Sequence, residues 1–81
     1  MPASAPNALD VRPLPPGRKA ATVLATFDRL DTGESFVLVD DRDPDPVCTR
    51  LADEWPNEGR WTYLQDGPYV WHVRIERRPG P

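Results

Sequence analysis

The spacing of apolar residues changes period several times along this chain, and each change marks an element. Leu9-Asp10-Val11-Arg12 alternates apolar with charged side chains, the period-two signature of a short, half-buried strand. Pro13, Pro15, Pro16 and Gly17 follow; prolines cannot donate to a ladder, so the chain turns here. From Arg18 the period lengthens. Ala20, Val23, Leu24, Phe27 and Leu30 recur at i, i+3, i+4, i+7 and i+10, one stripe of a helix, while Thr26, Asp28 and Arg29 fall off it. Asp31-Thr32-Gly33 ends that helix, with Gly33 suited to a left-handed residue after it.

Ser35 to Val39 is apolar on both parities, which predicts a strand in the middle of its sheet. The run Asp40-Asp41-Arg42-Asp43-Pro44-Asp45-Pro46 is a loop rich in turn chemistry, and Asp45 followed by Pro46 reads as the cap and first residue of a second helix. Val47, Leu51 and Trp55, with Cys48 and Ala52 beside them, supply its apolar stripe, and Pro56 closes it. Arg60 to Gln65 and Tyr69 to Glu76 read as two strands joined by Asp66-Gly67-Pro68, a hairpin signal. Alternation in the last strand puts Tyr69, Trp71, Val73 and Ile75 on one face and Val70, His72, Arg74 and Glu76 on the other.

The predicted order is β-α-β-α-β-β. Two short helices cannot cover both faces of four strands, so the expected fold is α+β: a two-layer α/β sandwich with a four-stranded mixed sheet and both helices on one face. The first two strands are expected to run parallel, joined by a right-handed crossover through the first helix. Residues 1–7 read as a disordered leader, 8–78 as a single domain and 79–81 as a tail, with fraying from residue 77.

Composition narrows the function classes. Eighty-one residues make one small domain, and 38% hydrophobic with 28% charged residues suits a soluble globular chain. The longest apolar run is Phe36–Val39, far short of the about 20 residues of a membrane span. The start lacks the basic and apolar regions of a signal peptide, and a single cysteine, Cys48, forms no internal disulfide, so a cytoplasmic protein is expected. Net charge is −3, but residues 31–60 alone hold nine acids against three bases. Without a basic stripe the chain has no electrostatic footprint for nucleic acid. From its one histidine no Ser-His-Asp set can be assembled beyond chance, so no catalytic residues are expected.

Several segments together resemble a known family: Leu9-Asp10-Val11-Arg12-Pro13-Leu14-Pro15-Pro16, Phe27-Asp28-Arg29-Leu30, Gly33-Glu34-Ser35-Phe36, Asp41-Arg42-Asp43-Pro44, and Gly67-Pro68 before Trp71-His72-Val73-Arg74-Ile75. Over residues 8–78 they are similar to the bacterial domain of unknown function twenty-two forty-nine, which is related to the TusA/SirA sulfur carriers and often found with hemerythrin-type domains. The resemblance implies a sulfur-carrier-like fold and a partner in redox or nitrogen-oxide metabolism, such as a hemerythrin-like protein. The chain departs from the pattern in two ways. Where sulfur carriers begin the first helix with a Cys-Pro thiolate, this chain has Pro16. Where the family commonly has histidines before each helix, it has Arg18-Lys19 and Asp41-Arg42-Asp43-Pro44, permanent cations in their place.

Among the remaining candidates, Cys48 falls near the start of the second helix but borders its apolar stripe, which predicts an inert, half-buried thiol. Asp41, Asp43 and Asp45 mimic a calcium loop, yet the sixth and twelfth places hold Pro46 and Ala52 instead of Gly and Glu. His72 stands alone on the open sheet face, a poor metal ligand, and neither metal nor other cofactor is expected. Parallel first and second strands would bring two loops to one end of the sheet, where ligands of α/β folds bind. Arg12, Arg18 and Lys19 on one loop, with Asp41, Arg42 and Asp43 on the other, are therefore the expected anion- or partner-binding residues; the plainer outcome is that these charges pair with one another. The expected function is a non-catalytic binding or regulatory module, and its alternative a sulfur carrier using Cys48.

Overall fold

The computed structural model describes residues 7–79, so the leader ahead of Asn7 and the tail residues Gly80 and Pro81 lie outside the described residues. The elements are β1 Ala8–Asp10, α1 Pro16–Asp28, β2 Ser35–Asp40, α2 Asp45–Glu54, β3 Gly59–Asp66 and β4 Trp71–Arg77. One four-stranded sheet runs in the order β1-β2-β4-β3. β1 lies parallel to β2, with Leu9 against Leu38, and β4 is antiparallel to both of its neighbours. This is the α+β sandwich expected from the apolar spacing.

Alternation along β2 sets the layers. Phe36, Leu38 and Asp40 are buried, while Ser35, Val37 and Val39 are half-buried on the other face. Register carries that division across the sheet: Leu9, Val73 and Ile75 share the face of Phe36 and Leu38. Val23 and Phe27 of α1 and Cys48 and Leu51 of α2 belong to the same buried cluster, so both helices cover one face. Trp55 tilts against Phe27 with ring centroids 4.9 Å apart, closing the core between the helices.

Several boundaries differ from the expected ones, each for a local reason. β1 ends at Asp10, but the Val11 amide still donates to the Val39 carbonyl at 3.0 Å and Val11 is fully buried. Asn7, expected in the leader, accepts the Val37 amide. Helix α1 starts at Pro16 instead of Arg18, because a proline in the first turn has no amide to leave unpaired. Helix α2 starts one residue early: Pro44 occupies the cap position without a side-chain cap, Asp45 is the first residue, and its amide donates to Asp43 Oδ1 at 3.0 Å in the turn ahead of the helix. Tyr69 lies outside β4 and is 86% exposed, not on the packed face, because the turn carries the chain away from the sheet before Trp71.

The last strand also extends past the expected fraying point. The Arg77 guanidinium donates to the carbonyls of Phe27, Asp28 and Leu30, each at 3.2 Å, and to Glu58 Oε1 at 3.2 Å. It also stands 5.2 Å from the centroid of the Phe27 ring. A cation at the end of α1 supplies a donor to the Asp28 and Leu30 carbonyls and a second donor to that of Phe27, which already accepts the Leu30 amide.

Candidate functional site

Parallel pairing of β1 and β2 brings the β1–α1 and β2–α2 loops to the same end of the sheet, as expected. There the predicted charges are largely consumed by one another. Arg12 folds back on Asp10: its Nε donates to Oδ1 at 2.9 Å and its Nη2 to Oδ2 at 2.7 Å. The guanidinium holds the Asp10 carboxyl down to about 2. Lys19 crosses from α1 to the other loop, where its Nζ donates to Asp40 Oδ1 at 2.9 Å and Asp41 Oδ1 at 2.8 Å. Its side chain is 12% exposed. These two carboxylates raise the Lys19 ammonium above the ordinary lysine range, and Lys19 in turn lowers Asp41.

Arg18 and Arg42 are exposed, and neither side chain forms a hydrogen bond or ion pair among the described residues. The structure thus brings Lys19, Asp41, Arg42 and Asp43 together, and leaves Arg12 bound to its own strand. Of four cations expected to hold an anion, two are neutralised.

The β2–α2 loop is clamped from both sides. On the α1 side, Asp40 accepts Lys19 and the Asp41 amide on one oxygen. On the β3 side, the Tyr63 hydroxyl donates to Asp43 Oδ1 at 2.6 Å. Burial, then the adjacent Asp43, pushes the Tyr63 phenol upward, so it remains a donor at any physiological pH. Tyr63 was legible in the sequence only as a strand residue, because its partner stands 20 positions away. A buried Asp40 was equally hidden, since it closes an apolar strand and opens a polar loop.

Between the clamped loop and the start of α1 lies a cleft of about 250 Å³. Pro16, Ala20, Pro44, Pro46 and Val47 form its apolar surface, and Lys19, Asp40, Arg42 and Asp43 contribute polar groups. Pockets for drug-sized ligands run from about 300 to 1,000 Å³, so this one suits a single side chain. A larger, shallower hollow of about 500 Å³ runs along the outer side of α1 past Arg18, Ala21, Ala25 and Arg29. Short side chains on an exposed helix face leave such a space, and it does not reach the loops.

Cys48 is fully buried. Burial first, then the carboxylates of Asp45 and Asp43, push its thiol up to about 12. At neutral pH the thiol is therefore protonated. His72 pairs with Val39 on the open sheet face, across the sheet from the helices. Among the described residues no group of three or more His, Cys, Asp or Glu side chains is placed to hold a metal ion. No helix among them is long and apolar enough to cross a membrane.

A family model described as "Uncharacterized conserved protein (DUF2249)" matches residues 8–77. The chain belongs to this family. No curated protein matches the DUF2249 chain. No solved structure matches it either. The matched span runs from the first residue of β1 to Arg77, so it takes in the clamp, the cleft and the cap on α1.

Proposed function

We propose that this DUF2249 chain is a small, non-catalytic binding module that docks a protein partner at the cleft between α1 and the β2–α2 loop. One observation carries the reading: a loop held from both flanks, by Lys19 and Tyr63, borders an apolar cleft sized for one side chain. A surface ordered before binding loses less entropy on association, which is what a recognition loop requires. The groups suited to proton transfer or nucleophilic attack are scattered: His72 is across the sheet, and Cys48 is buried and protonated.

The resemblance to sulfur carriers enters this reading as a fold without its thiol, in a bacterial cytoplasm, serving redox or nitrogen-oxide metabolism beside a hemerythrin-like protein. A titration of isotopically labelled chain with such a protein tests it. Amide shifts should concentrate at Ala20, Arg42 and Val47 and vanish in Ala20→Trp, which fills the cleft. Shifts confined to the open sheet face would refute it. The rival, a sulfur carrier using Cys48, has a thiol that is enclosed and un-ionised. Incubation with a cysteine desulfurase and cysteine should leave the intact mass unchanged; a stoichiometric gain of one sulfur atom would make the rival the better reading.

A further inference from the structure

The charges around the cleft do not balance. Lys19 bridges Asp40 and Asp41, and beside the one exposed guanidinium of the loop, Arg42, stand the exposed carboxylates of Asp43, which lines the cleft, and of Asp45, next to lining residues Pro44 and Pro46. Two cations therefore face four carboxylates. The same excess acts on the interior, because Asp43 and Asp45 add to burial in raising both Cys48 and Tyr63. Such a field draws cationic partners and repels anionic ones.

The floor of the cleft has a different chemistry. Ala20, Pro46 and Val47 offer hydrocarbon, and nothing in the about 250 Å³ between them demands a polar ligand. Resting on the binding-module reading, we propose that the cleft receives a basic segment of a partner protein. One aliphatic side chain enters between Pro46 and Ala20, and lysines or arginines on either side of it meet Asp43 and Asp45. Arg42 opposes this segment and limits its affinity. The anion expected from the cations alone gives way to a cationic partner, because Lys19 and Arg12 are already neutralised by carboxylates.

The test titrates labelled full-length chain with three capped tripeptides: Lys-Leu-Lys, the charge-reversed Glu-Leu-Glu and the polar-centred Lys-Ser-Lys. Lys-Leu-Lys should shift Ala20, Arg42 and Val47, and lose most of its effect in about 1 M salt, where the Debye length is about 3 Å. Asp45→Asn should weaken it and Arg42→Gln strengthen it, each about two- to fivefold, as expected for one exposed charge. Both substitutions are at exposed side chains that form no hydrogen bond or ion pair among the described residues, and the unchanged amide spectrum of each variant confirms its folding. A preference for Glu-Leu-Glu, or equal response to Lys-Ser-Lys, would overturn the basic, apolar-centred segment while leaving the cleft as the docking site. Silence to all three peptides would also overturn it if Ala20→Trp still abolishes partner binding. Partner binding that survives Ala20→Trp would instead remove the binding-module reading itself.

Discussion

Asp10 and Arg12 stand two residues apart on one strand end, and their pairing has a measurable acid signature. Because the folded carboxyl titrates near 2 instead of the ordinary 3.8, its contribution to stability is full above the ordinary value and fades as pH falls towards 2. Carboxyl NMR should place the Asp10 midpoint near 2, and Arg12→Ala should raise it only part of the way to the ordinary 3.8, because the amide of residue 12 still donates to Asp10 Oδ1. Lys19 works in the opposite sense. Its raised ammonium contributes fully below the ordinary 10.5, and that contribution is lost as pH rises through the folded value. Lys19→Met should therefore speed hydrogen exchange at Asp41 and Arg42 at neutral pH, while Tyr63→Phe should loosen the Asp43 end of the same loop. Which charges would meet was only half legible. The chain order shows that two charged loops converge, but a lysine choosing carboxylates 21 and 22 positions away depends on a crossover the sequence states only as a pattern.

At the scale of elements, Arg77 joins the end of α1 to β3's entry and to its own strand. Arg77→Met removes three carbonyl contacts and the Glu58 pair but keeps the apolar stem, and it should cost about 1–3 kcal/mol in urea unfolding. Arginine at a chain end reads as a solvated residue, so no local signal announces this cap; the tertiary register supplies it. Gly67 is a different case. Its φ is +71°, and a Cβ there would lie 2.7 Å from Trp71 Cζ2, so Gly67→Ala should lower stability by about 1–3 kcal/mol through strain and displaced indole. The hairpin there was legible from Asp66-Gly67-Pro68, yet the sequence period overran it. Alternation assigned Tyr69 to the packed face because nothing in the pattern says where the strand begins.

For the whole molecule, the layer order, strand directions and both helices follow from apolar spacing, because each element buries only one stripe and few arrangements cover all of them. The cleft does not follow, since prolines at positions 16, 44 and 46 come together only when the crossover is closed. The core's dependence on the sheet is open to measurement. Leu38 is fully buried between β1 and β4, and Leu38→Ala should cost about 2–5 kcal/mol, a large share of what so small a domain has. Strand order has one more consequence, for synthesis. β4, made after the other three strands of this sheet, is the one that lies between β2 and β3. Until residues 71–77 emerge, β3 has no neighbour and Leu38 lacks its cover from Val73. The nascent chain therefore cannot settle stepwise from β1 onwards: β4 must wedge into the centre, and the sheet closes only after residues 71–77 have emerged.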